Sequence, residues 1–246
     1  MASRLAVVTG GGRGIGRAVA AALSAAGHRV VVMGRNEASL REAVSSGDAA
    51  DHRVVDVTDA EALRNALTEV GAIEILVNNA GAANSSPFVK STDAQFREMM
   101  AVNFDSVVTA IRAVLPGMVQ RRFGRIISVA SMAGLRGFAY ASAYAASKHA
   151  VVGLTRSIAI EVAKRGITVN AVCPAYVDTD MMTESVERVV RLTGRTPSEA
   201  RNVFTQANPQ GRLISPQEVA DAVAWLAGDG ASAVNGQAIL LSGGEG

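Results

Sequence analysis

The chain has 246 residues, 49% of them hydrophobic and 19% charged, which supplies enough apolar side chain for a sizeable interior and too little charge for a disordered chain. Lys and Arg number 24 against 22 Asp and Glu, and only 4% of residues are aromatic, so the continuous basic face with interleaved aromatics of a nucleic-acid module is missing. The single cysteine, Cys173, sits in an apolar run and excludes an intrachain disulfide, with no sign of an oxidising compartment.

Residues 1–4 lead into the first strand pattern without an apolar leader, and no apolar run approaches membrane-spanning length, so a cytoplasmic protein without a membrane partner is expected. Short β-branched runs then alternate with longer amphipathic stretches. In chain order the pattern predicts strands at 5–9, 29–33, 52–55, 73–78, 125–129, 167–172 and 238–241, with helices at 16–26, 37–46, 60–70, 96–122, 143–164 and 216–227. Parallel strands need such crossovers, and near-continuous apolar strands need cover on both faces. The expectation is an α/β Rossmann fold: one domain over 1–246, with a doubly wound seven-stranded parallel sheet and helices on both faces. Residues 180–212, polar and rich in Thr and Arg, read as a substrate-binding lid inserted within that domain.

The run Thr9-Gly10-Gly11-Gly12-Arg13-Gly14-Ile15-Gly16 follows the first strand and opens the first helix. Glycines there let the backbone approach a pyrophosphate, and the helix N-terminus offsets its charge. Gly10, Gly12, Arg13, Gly14, Ile15 and Gly16 are therefore candidate cofactor residues. The second strand ends at Gly34-Arg35, where an NAD enzyme usually places an acid for the ribose 2′-hydroxyl. Arg35 pairs instead with a 2′-phosphate, and Arg13 approaches the same group from the glycine turn, so NADP(H) is favoured.

Tyr144 and Lys148 are four apart on a predicted helix and share a face. A nearby ammonium lowers the pKa of a phenol and makes it a usable acid and base. Tyr140 and Tyr176 have no lysine four residues later and lose the comparison. Ser131 follows the fifth strand at the edge where open α/β sheets bind ligands, placing its hydroxyl for a substrate oxygen; Ser128, within the strand, reads as core. Asn103, amid apolar helix neighbours, needs partners for its amide. His28, His52 and His149 are dispersed, and no metal is expected.

The glycine turn, Asp56-Val57, Asn78-Asn79-Ala80-Gly81, Asn103, Ser131, Tyr144-x-x-x-Lys148 and the segment Pro174 to Thr179 together resemble the short-chain dehydrogenase/reductase family over nearly the whole chain. The resemblance implies that Asp56 and Val57 hold the adenine, that Asn79 and Gly81 line the nicotinamide-ribose side, and that Pro174, Val177 and Thr179 contact the nicotinamide. It also implies that Tyr144 and Lys148 touch the cofactor, with Lys148 on the ribose, and that Asn103 binds a water extending a proton relay. Ala175 stands where the family has glycine, a change its β-carbon permits unless φ is positive.

Residues 142–181 look most like reductases of 3-oxoacyl thioesters, and 236–246 resembles the polyketide ketoreductases. Arg122 and Arg165 match positions such reductases use to dock an acidic acyl carrier protein, although a basic residue before a strand also suits helix termination. The resemblance thus implies an NADP(H)-dependent oxidoreductase that reduces a 3-oxoacyl thioester to the 3-hydroxyacyl thioester. The alternatives are a hydroxyacyl-CoA or other secondary-alcohol dehydrogenase of the family, and a non-catalytic NADP-binding sensor, which would have no reason to keep Asn103, Ser131, Tyr144 and Lys148 together. Helices 96–122 and 143–164 carry more apolar and small residues than one sheet face covers, and in related enzymes they form the main interface of a homotetramer, which is expected here.

Overall fold

Val8 shows how the sheet is built. It pairs with Val32 on one side and Val77 on the other, in the register of a parallel strand flanked by two others. A computed structural model describes residues 3–245; Met1, Ala2 and Gly246, which belong to the terminal segments read above, lie outside the described residues. The strands are β1 (Leu5–Thr9), β2 (Arg29–Gly34), β3 (Asp51–Val54), β4 (Ile75–Asn78), β5 (Gly124–Val129), β6 (Ile167–Pro174) and β7 (Ala238–Leu241). They form one seven-stranded parallel sheet in the order β3-β2-β1-β4-β5-β6-β7.

Successive side chains of a strand point to opposite faces, and each face has its own apolar layer. Val7, Val31, Leu76, Ile126 and Val169 meet α3 (Ala60–Val70), α5 (Ser106–Arg121) and α6 (Ser142–Val162). Ala6, Val8, Val30, Val32, Val77 and Ile127 meet α1 (Gly14–Ala25), α2 (Glu37–Ser45) and α9 (Pro216–Ala227). Strand order reverses between β1 and β4, and the crevice at the carboxyl ends of the strands beside such a reversal is where open α/β sheets take ligands.

Two expectations change. The helix read as 96–122 begins earlier, because Thr92 and Gln95 close a capping box that starts α4 (Asp93–Met100). It then passes through a π turn, Ala101–Asp105, into α5. The continuous helix Asp93–Arg121 has 29 residues and an 18-residue window of mean hydropathy 1.3, long and apolar enough to cross a membrane by composition, contrary to the expectation of no such run. Here Val107, Ala110, Ile111, Val114 and Met118 spend that apolar character against the sheet.

The polar stretch 180–212, read as a lid, folds as two helices, α7 (Asp180–Thr193) and α8 (Pro197–Ala207). Thr196 caps α8 in a capping box with Glu199, and Pro197 occupies its first turn. Met182 and Val186, four apart, join Ala200, Leu213, Tyr176 and Phe204 in a small apolar cluster separate from the two sheet layers. Tyr176 meets the rings of Phe204 and Phe138 edge-on, at 5.1 and 6.5 Å between centroids, and so fastens α8 to the loops after β5 and β6.

The backbone of the glycine turn comes very close at Gly16, where a β-carbon would stand 2.1 Å from the Gly10 carbonyl oxygen and 2.4 Å from Asn79 Nδ2. Gly16→Ala must push α1 off the sheet, and we expect a loss of about 1–3 kcal/mol of stability by urea unfolding, the range for overpacked interiors. An unchanged midpoint would show that the turn is not packed this tightly.

Candidate active site

The carboxyl ends of β1, β4, β5 and β6 each deliver a piece of the crevice. After β1, Gly10 turns with φ +65° and Arg13 takes an extended N-cap conformation that makes no side-chain cap to α1. The amides of that first turn are thus left uncapped by any side chain, with the positive end of the helix dipole behind them. Ile15 packs beneath the turn against the apolar layer. Gly12 lies so close to α2 that a β-carbon would be 2.5 Å from Ser39 Oγ. This cradle fits a dinucleotide pyrophosphate.

The adenosine end is recognisable by charge. Arg35 is 80% exposed at the end of β2, 3.8 Å from Asp56, whose carboxylate accepts from the amide and hydroxyl of Thr58. Those two bonds, aided by the Arg35 charge, hold the Asp56 carboxyl below the usual carboxylate range. Val57 is buried alongside. Arg13 is 71% exposed and pairs with Asp180 at 3.3 Å. Two exposed cations, one from the glycine turn and one from the end of β2, are thus available, and the residues present fit a 2′-phosphate.

After β4, Asn79 staples the site. Its Nδ2 donates to the carbonyls of Thr9 and Gly10, while the amides of Asn79 and Ala80 donate to the Thr9 hydroxyl. The Asn79 Nδ2 is thus committed to the glycine turn, which fixes the residue between that turn and the end of β4. At Gly81 a β-carbon would lie 2.8 Å from Asn103 Oδ1 and 3.6 Å from Lys148 Nζ.

Asn103 sits in the π turn and is buried. Its amide forms a reciprocal pair with Ala82, accepting from the Ala82 amide and donating to its carbonyl, both at 3.0 Å, and it also donates to Ser147 Oγ at 3.1 Å. Ser147 passes the bond on to the Tyr144 carbonyl at 2.7 Å. Both hydrogens of the Asn103 amide group are thus spent on protein partners, which leaves a second Oδ1 lone pair and the main-chain carbonyl as the groups that could take the expected water. Neither the π turn nor the role of Ser147 was legible in the sequence; the Tyr-x-x-Ser-Lys spacing is the nearest signal.

Tyr144 and Lys148 share one face of α6, as their spacing predicts, with Nζ 5.8 Å from the centroid of the Tyr144 ring. Lys148 Nζ donates to the Val129 carbonyl at 2.9 Å, at the end of β5. Ser131 lies near enough to the Tyr144 hydroxyl to lower its pKa against the effect of burial. Ser131 also caps a short turn by accepting from the Ala133 amide at 3.1 Å. Here the structure corrects the electrostatic expectation. Burial pushes the Tyr144 phenol above its ordinary value, opposed by Ser131, and burial lowers Lys148 to about 8. For the phenol of the cofactor-free protein, desolvation is the largest influence. Cys173, pushed up to about 11 by burial, stays a protonated thiol and a small hydrophobe.

After β6, Pro174 ends the strand, Val177 bridges to Ile214, and Thr179 lies against Gly14, within 3.4 Å of where a β-carbon there would be. Among the described residues only Arg122 and Tyr140 combine a side chain with positive φ, so Ala175 replaces glycine without backbone strain. Tyr140 is exposed and Tyr176 is spent on the lid aromatics. Ser128 accepts from Asn78 within the sheet at 3.4 Å, as a core residue. Among the described residues no group of three His, Cys, Asp or Glu side chains is placed to hold a metal.

Residues 4–189 match the family model described as short chain dehydrogenase. The chain belongs to the short-chain dehydrogenase family. A Streptomyces coelicolor protein that bears a ketoacyl-reductase name is 39% identical over 99% of this chain and 97% of its own. The 3-oxoacyl-[acyl-carrier-protein] reductase FabG of Vibrio cholerae is 36% identical over 98% and 96%. Among solved structures, a variant of actinorhodin polyketide ketoreductase crystallised with NADPH superimposes with a TM-score of 0.95, at 36% identity over 99% of this chain and 97% of that one. The short-chain dehydrogenase is accordingly an oxidoreductase with the Rossmann architecture of its family.

Replacing Asn103 by Ala leaves the Ala82 amide and carbonyl and the Ser147 hydroxyl without this partner. We expect a loss of stability of about 1–3 kcal/mol, the cost of unsatisfied buried groups, together with a fall in kcat larger than any change in KM. Full activity in this variant would remove the residue from the site.

Proposed function

We propose that this short-chain dehydrogenase reduces a 3-oxoacyl thioester to the 3-hydroxyacyl thioester with NADPH. The observation that carries the reading is the placement of the Tyr144 phenol near Ser131 and over Lys148, where it can donate a proton to a substrate oxygen. A protonated phenol is a donor, as carbonyl reduction requires, whereas oxidation of an alcohol needs the phenolate. The substrate class is supported by the names of the relatives, and the cofactor by the missing acid at Gly34, the two cations Arg13 and Arg35, and the NADPH in the similar ketoreductase.

In this reading the bound cofactor would be the source of the hydride for the carbonyl carbon. Ser131 and Tyr144 donate hydrogen bonds to the carbonyl oxygen, and Tyr144 passes its proton to that oxygen as negative charge develops. Lys148 holds the nicotinamide ribose and, while protonated, favours the phenolate left behind. Gly10, Gly12, Gly14, Ile15 and Gly16 form the pyrophosphate cradle, and Asp56 and Val57 hold the adenine. Gly81, Pro174, Val177 and Thr179 border the nicotinamide, and the two lid helices over 180–212 cover the substrate within a single domain. A cytoplasmic location suits a chain whose one thiol is buried.

Arg122 and Arg165 come together, since a β-carbon on Gly166 would stand 2.3 Å from the Arg122 carbonyl, but they lie at the amino ends of β5 and β6, the opposite edge from Tyr144. With a rise of ~3.3 Å per residue along a strand, a carrier docked there is about 20 Å from the reacting end of its own protomer. We therefore read carrier docking together with the homotetramer. A two-fold pairing of antiparallel helices sets the Arg122 end of α5 beside the Asn103 end of the partner's helix. Val107, Val151 and Val152 are buried within the protomer, so the apolar surplus is narrower than the sequence suggested. It is supported by Ile160, 80% exposed on α6, and by the half-buried Val108, Leu115 and Leu154.

Tyr144→Phe should lose at least ~10²-fold in kcat with acetoacetyl-CoA, the lower bound for general-acid catalysis, while NADPH titrated by fluorescence binds as before. Near-native turnover would reject the proton donor. Arg122→Glu combined with Arg165→Glu should raise KM for carrier-bound substrate and leave acetoacetyl-CoA unaffected. Equal KM values for native and doubly substituted protein on the carrier would reject the docking site.

A further inference from the structure

We propose that Asp180 is a specificity-determining counter-charge of the cofactor site, competing with the cofactor's 2′-phosphate for Arg13 and so coupling the first turn of the lid to the identity of the bound dinucleotide. The proposal rests on the reading above that Arg13 and Arg35 flank that phosphate.

Two contacts join the lid to the glycine turn. Arg13 Nη1 reaches Asp180 Oδ2 at 3.3 Å, and the Thr179 methyl packs against Gly14. Asp180 is the first residue of α7, and it is the only acid in that turn. Thr179, the N-cap, makes no side-chain cap, so the Asp180 carboxylate alone answers both the positive end of α7 and the Arg13 guanidinium.

The second candidate cation is arranged differently. Its carboxylate, Asp56, is anchored by two bonds from Thr58 at 2.9 and 2.7 Å and cannot leave. Asp180 makes no other hydrogen bond among the described residues, and its side chain is 66% exposed, so it is free to swing. A 2′-phosphate carries close to two negative charges near neutral pH. On reaching Arg13 it takes the guanidinium and repels the carboxylate, which releases the ion pair between the glycine turn and the start of α7. A cofactor with a 2′-hydroxyl has no charge with which to make this exchange. Asp180 thus tempers the preference for the phosphorylated cofactor and loosens the lid only when that cofactor arrives.

The test uses adenosine 2′,5′-bisphosphate and adenosine 5′-monophosphate, which differ at the 2′-phosphate and carry no nicotinamide to touch the lid. In the native protein the bisphosphate, and not the monophosphate, should speed amide hydrogen exchange at residues 180–183. Asp180→Asn should bind the bisphosphate roughly two- to fivefold more tightly, the scale of an exposed ion pair, with the monophosphate unchanged, and should have no effect in an Arg13→Ala background. Equal exchange under both ligands, or unchanged bisphosphate affinity in Asp180→Asn, would overturn the proposal. If Arg13→Ala and Arg35→Ala leave bisphosphate affinity intact, the cofactor reading falls as well; if they weaken it while Asp180→Asn does nothing, only the role of Asp180 falls.

Discussion

The site is organised around one expensive object, the ammonium of Lys148 held in the interior at the end of β5. Burial lowers it to about 8, and relative to a free lysine near ~10.4 such a change corresponds to roughly 3 kcal/mol of lost charge stabilisation. Its direct partner is the Val129 carbonyl. The neighbouring features are what permit the amine to sit there. Gly81 has no β-carbon to crowd it, Asn103 seals the Ala82 backbone beside it, and α6 carries it on the face shared with Tyr144.

Desolvation acts on both members of the pair, on the buried Lys148 and on the half-buried Tyr144. A phenol that loses hydration keeps its proton, and an ammonium that loses hydration sheds its own more readily. Near neutral pH the cofactor-free site thus holds a protonated donor beside a lysine still charged but not far from titration. Between the folded value of Lys148 and that of a free lysine, the unfolded chain binds the extra proton, so this group makes folding more favourable as pH rises through that window. The cost of the buried charge is present in full below it, which is the expected sign for a residue kept for chemistry rather than stability.

Much of this was legible in the sequence. The seven strands were readable because buried parallel strands are continuous apolar runs, and β1, α3, α9 and β7 fall where the pattern puts them. The glycine turn and the Tyr144–Lys148 pair were readable because their chemistry depends on local spacing. What escaped was set by tertiary contacts. The π turn depends on the Asn103 amide finding Ala82 and Ser147 across three elements, and no local pattern encodes it. The lid helices hid behind polar composition, although Thr196-Pro197-Ser198-Glu199 carries a complete start signal. The pKa of Tyr144 was read from the neighbouring charge alone, whereas desolvation, invisible in a spacing argument, pushes the phenol upward in the cofactor-free protein.

The central claim is that a dry interior, rather than an ordinary solvated one, surrounds the lysine of the pair. Labelling the protein with isotopically enriched lysine and following the Nζ resonance of Lys148 by NMR in the cofactor-free enzyme, with Lys148→Arg to assign it, tests this directly. The account predicts a titration midpoint near the value of about 8 that burial gives it. A midpoint in the ordinary lysine range, ~10.4, would contradict it.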